Sequence, residues 1–100
     1  MFLAKVLGSM VSTQKDKNLV GLKMLVVQPV NVETLQPEGK PLIAVDSVGA
    51  GEGSVVMVVT GSSARNTTLT RSAPTDATIV AIVDNVEVAG RMVYKGNAGL

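Results

Sequence analysis

The chain has 100 residues, of which 46% are hydrophobic and only 17% charged, and its formal net charge of +1 comes from interspersed residues of both signs. A chain this short builds a single core, expected over residues 1–95 with a loose tail at 96–100, and it shows no basic block for a nucleic acid or an anionic membrane. It contains no histidine and no cysteine, which removes the commonest general base, the commonest transition-metal ligand, thiolate chemistry and disulfides together.

In chain order, Phe2 to Thr13 reads as a long strand, with Lys5, Ser9 and Thr13 on one face and Ala4, Val6 and Met10 on the other. Gln14 to Asn18 is a polar turn, and the β-branched segment from Leu19 to Val32 returns beside the first strand as a hairpin. Pro37, Gly39 and Pro41 break the chain before a short strand from Leu42 to Val48. Gly49-Ala50-Gly51-Glu52-Gly53 then places three glycines in five positions, a tight loop that needs backbone freedom. Val55 to Thr60 is the next strand. After it, Gly61-Ser62-Ser63-Ala64-Arg65 offers two serines able to cap a short helix running toward Leu69. Pro74-Thr75-Asp76 turns the chain into a strand from Ala77 to Val83, and Val86 to Val93 forms a final hairpin around Gly90.

These elements predict an all-β fold, a small OB-like β-barrel of five or six mostly antiparallel strands with one short helix. The runs Val55 to Val59 and Ile79 to Val83 are continuously apolar, so both of their faces should be covered. A domain this small has few elements of its own to lie on the outer face, which points to another subunit as the cover. Those five-residue runs are also the longest apolar stretches, far short of the roughly 20 residues of a membrane-spanning helix. Lys5 follows Phe2-Leu3-Ala4 instead of preceding a long apolar segment, so no secretory signal is expected and a cytoplasmic location is.

No group of residues assembles a catalytic or ligand-binding pattern. The glycine loop leads into a strand, whereas a phosphate-binding loop delivers its anion to a helix N-terminus. Gly61-Ser62-Ser63-Ala64 begins like a nucleophile elbow, but Arg65 stands where the last glycine belongs and no histidine is available as base. Helix capping by Ser62 or Ser63 accounts better for that turn, leaving Arg65 free to pair with a carboxylate across an interface. Asp46, Asp76 and Asp84 are spaced unlike any dense oxygen-ligand loop, so turn bonding and ion pairing are their expected roles, with no metal or other cofactor. Asn66-Thr67-Thr68 has the form of a glycosylation site, which matters only to a secreted chain. A nucleic-acid-binding OB barrel is the alternative function, but it uses aromatic platforms, and Phe2 and Tyr94 are the only aromatic residues.

Three segments in order carry a resemblance: Val45-Asp46-Ser47-Val48-Gly49-Ala50-Gly51-Glu52-Gly53, Gly61-Ser62-Ser63-Ala64-Arg65, and Pro74-Thr75-Asp76-Ala77 followed by Ile79-Val80-Ala81-Ile82-Val83-Asp84. With the opening Ala4-Lys5-Val6-Leu7-Gly8 and the strand Leu19-Val20-Gly21-Leu22-Lys23-Met24-Leu25, the chain resembles the EutN/CcmL family of bacterial microcompartment vertex proteins. The resemblance implies a structural, non-enzymatic subunit that assembles as a homopentamer at the fivefold vertices of a polyhedral shell. It also implies hexameric and trimeric shell proteins as neighbours. On this reading Gly49, Ala50, Gly51, Glu52 and Gly53, together with Gly61, Ser62, Ser63, Ala64 and Arg65, are expected near subunit contacts or an axial opening.

Overall fold

The computed structural model describes residues 1–11, 21–61 and 76–96. Among them run seven strands: β1 (Phe2–Met10), β2 (Lys23–Pro29), β3 (Leu42–Asp46), β4 (Val55–Thr60), β5 (Ala77–Ile82), β6 (Asn85–Val88) and β7 (Arg91–Lys95). The first five close into a barrel in the order β1-β2-β3-β5-β4, and β6 and β7 form a separate two-stranded sheet. Every pairing is antiparallel except β3 with β5, which makes this a five-stranded barrel of the OB kind with a hairpin appended. The short helix expected after Ser62, the Gln14 to Asn18 turn and most of the tail lie outside the described residues.

The barrel interior follows from alternation along each strand and from which residues stand opposite one another. Ala4 faces Val56, Val6 faces Val27, Leu25 faces Ala44 and Val58 faces Ile79, and all eight are buried in one core with Ala50 and Ala77. Two of these pairs, Ala4 with Val56 and Ala44 with Leu25, set a small residue against a larger one, which helps fill a narrow barrel without overpacking it. Each fully buried Val, Leu or Ile side chain contributes about 1.5–3 kcal/mol relative to exposure.

The even alternation expected along β1 does not hold. Val6 pairs with Val27 but Gly8 with Val26, so Leu7 is an extra residue in a bulge. One inserted residue moves everything beyond it to the other face. Ser9 therefore shares the side of its partner Leu25, and Met10 that of Met24, the reverse of the assignment drawn from spacing alone. β5 bulges in the same way at Val80, between the pairs Met57 with Ala81 and Val58 with Ile79.

The barrel closes at its shortest seam. β3 and β5 pair in parallel only at Val45 with Thr78 and Asp46 with Ile79. Ser47 extends the seam, donating both its N–H (3.3 Å) and its Oγ hydroxyl (2.7 Å) to the Ile79 carbonyl.

The outer face of β4 corrects a second expectation in part. Val55 and Val59 are only 4% and 8% exposed within the single chain, so these two positions need no other subunit to cover them, whereas Met57 between them lines an open cleft. Val55 shares a small cavity with Val30, Leu35 and Tyr94, residues of the β2–β3 connection and of β7. Asn31 shapes that connection: its Oδ1 accepts from the N–H groups of Glu33 (2.8 Å) and Thr34 (3.1 Å), and its carbonyl accepts from the Leu35 N–H. Leu35 is held there at a positive φ of 60°. On β5, Ile82 is exposed although it stands opposite the buried Val56.

Candidate functional site

The loop from Ser47 to Ser54 carries half of the residues singled out above, and two strand-end side chains shape it. Asp46, buried at the end of β3, accepts on Oδ1 from the N–H of Val48 (3.0 Å) and of Gly49 (3.1 Å). This is the turn-bonding role expected of that aspartate. Lys23, directly opposite Asp46 on β2, donates from Nζ to the Ala50 carbonyl at 2.9 Å. Farther along, Gly53 N–H donates to the Val6 carbonyl and Val6 N–H to the Ser54 carbonyl, both at 2.9 Å. The loop is thus tied to β1, β2 and β3 and crosses one end of the barrel.

Within it the five candidate residues divide. Ala50 is fully buried within the single chain and belongs to the barrel core, where it plugs the barrel end. Gly49, Gly51, Glu52 and Gly53 are exposed. Gly49 and Gly53 adopt φ of 83° and 88°, the left-handed region that only glycine enters without cost. A Cβ built on Gly49, Gly51 or Gly53 meets nothing within 4 Å, so backbone conformation, not crowding inside the chain, explains the first and last of them. Gly61 is likewise at a positive φ of 66°, and its N–H donates to the Asp76 carbonyl at 3.0 Å. Ser62, Ser63, Ala64 and Arg65 lie outside the described residues.

Lys23 was not anticipated from the sequence. Its only signal is a lysine entering a run of apolar strand residues, and nothing local shows that its ammonium group reaches the carbonyl of a residue 27 positions away.

Among the described residues no three His, Cys, Asp or Glu side chains converge. Phe2 packs against the barrel core and Tyr94 lines the cavity with Lys5 and Val55, so neither ring belongs to an exposed platform on which bases stack. No helix among the described residues is long and apolar enough to cross a membrane.

What the exterior does present is apolar surface. Leu7, Met10, Val32, Ile43, Val48, Ile82 and Met92 are all exposed. An open cleft of about 370 Å³ lies between the N-terminal residues and the start of β6.

Comparison with known proteins adds four findings. The family model described as "Ethanolamine utilisation protein EutN/carboxysome" matches residues 1–84. The bacterial microcompartment shell vertex protein GrpN of Rhodospirillum rubrum is 48% identical over 87 residues, covering 87% of this chain and 97% of that protein. Among solved structures, Gloeobacter violaceus CcmL superposes with a TM-score of 0.89 at 37% identity, covering 95% of this chain and 97% of that one. The structure of GrpN, described as a pentameric microcompartment shell protein from Rhodospirillum rubrum, superposes with a TM-score of 0.75 at 45% identity, covering 88% and 98%.

Proposed function

We propose a function from one premise: the chain belongs to the ethanolamine utilisation protein EutN/carboxysome family. It is a structural shell protein whose five copies close a ring, and the ring occupies a fivefold vertex of a bacterial microcompartment shell. The observation that carries this is the near full-length match, in sequence and in fold, to a pentameric shell protein.

The physical logic is one of curvature. A layer of sixfold tiles is flat, and putting a fivefold tile in place of a sixfold one removes a wedge and bends the layer. Such a tile needs a stable ring with a shaped rim and no reaction centre, so the chain is assigned no catalytic role. Its partners are four further copies of itself and, around the rim, hexameric and trimeric shell proteins, with the assembly residing in the cytoplasm. A low share of charged residues and exposed aliphatic side chains on the barrel exterior suit a subunit that spends its life in contact with others.

Native mass spectrometry of the purified chain tests the reading. Five copies are expected; a chain that stays monomeric at all accessible concentrations rules it out.

A further inference from the structure

The barrel carries two different apolar surfaces, and they differ in shape. The first is the open cleft of about 370 Å³, lined in part by Met1, Leu3, Val32, Met57 and Val86. Leu3 and Met57 stand opposite each other on β1 and β4, one position out of step with the inward pairs Phe2 with Val58 and Ala4 with Val56, so they face outward and form the floor. The second is convex. Gly8, Val26 and Ile43 form a continuous row across β1, β2 and β3, out of step with the inward pair Leu25 and Ala44 and therefore on the outside. Leu7 is the extra residue of the bulge beside that row. Leu7 is 47% exposed and Ile43 is 41% exposed, so both side chains stand out from the barrel wall, and a bulge bends its strand at that point.

Their positions on the barrel are as informative as their shapes. The strand order runs β4-β1-β2-β3 around this side, so the cleft lies on the β4–β1 arc and the ridge on the β1–β2–β3 arc. The two surfaces are on neighbouring arcs, at an angle, not on opposite sides. Head-to-tail contacts between unlike patches make a closed ring when the rotation they impose closes, and an open filament otherwise. Unlike patches set at an angle turn each copy relative to the last, as a small ring demands. A concave patch and a convex one also do not complement themselves, which disfavours a twofold dimer through either.

Resting on the pentameric reading, we propose that the ridge of one copy, Leu7, Val26 and Ile43, seats in the cleft of the next copy over Leu3, Val32 and Met57. That one apolar contact, repeated, closes the ring. The bulge at Leu7 is then the device that raises the ridge, and Gly8, with no side chain, leaves the space beside it that the cleft rim enters.

The test uses the full chain, native mass spectrometry and two charge variants at exposed positions, Ile43→Glu on the ridge and Val32→Glu at the cleft, with circular dichroism verifying the fold. Each variant alone is expected to be monomeric. Mixed in equal amounts they are expected to form a heterodimer and nothing larger, because one chain keeps its cleft and the other its ridge. A folded variant that still forms the ring, or a mixture that stays monomeric, overturns the pairing while the wild-type ring leaves the vertex reading standing. A monomeric wild type sinks both. If a glutamate variant loses its fold, Leu7→Ser and Val32→Ser replace it, and the ring-to-monomer midpoint is expected to rise about tenfold or more in concentration. An unchanged midpoint overturns the pairing equally.

Discussion

Lys23 and Asp46 face each other across β2 and β3, and both side chains hold the same loop. The carboxylate takes the N–H groups of Val48 and Gly49, and the ammonium takes the Ala50 carbonyl. Between them they set the path that drops Ala50 into the end of the barrel.

Asp46→Ala removes both of the carboxylate's bonds in a buried position and is expected to lower stability by about 1.5–3 kcal/mol, the range for hydrogen bonds to a charged group. Asp46→Asn keeps an oxygen acceptor at the same place and is expected to lose about half as much. Urea unfolding at one fixed protein concentration measures both, since assembly makes apparent stability depend on concentration.

The loop glycines separate conformation from space. Gly49→Ala and Gly53→Ala force a side chain into the left-handed region and are each expected to cost about 1–2 kcal/mol. Gly51→Ala has open space around it and no positive φ, so its melting temperature is expected to stay level or rise slightly. A Gly51→Ala loss equal to the other two would show that a neighbour occupies that space in the assembly.

Ile79 occupies the core and its carbonyl receives both donors of Ser47 at the β3–β5 seam. Ile79→Ala leaves a cavity in a barrel too narrow to collapse around it, with an expected loss of about 2–5 kcal/mol. Ser47→Ala removes only the 2.7 Å hydroxyl bond and is expected to cost about 1 kcal/mol. Denaturant midpoints of the two variants distinguish core from seam.

The hairpin turn is poorly matched to its residue. Val88 pairs with Arg91 across Ala89 and Gly90, both at positive φ, 52° and 78°. A two-residue turn with that geometry favours Asn-Gly. Ala89→Asn is expected to stabilise the hairpin by up to about 1 kcal/mol, read as slower amide exchange across β6 and β7. Faster exchange would mean that the turn relaxes out of the left-handed region.

The sequence alone determined the strand content, the glycine loop, the hairpin around Gly90, the absence of histidine and cysteine chemistry, and the family. Each of these is written in local composition, in period-two patterning or in motifs that survive as strings. Where a strand faces is not local. A single extra residue at Leu7 reverses the faces of Ser9 and Met10, and only the register against β2 exposes it. Nor does any neighbour in sequence announce that Lys23 reaches Ala50, or that Leu35 and Tyr94 line one cavity with Val55. These groupings join residues far apart in the chain. The tertiary structure therefore decided which apolar residues the chain buries by itself and which, as at Leu7 and Ile43, it leaves on the surface.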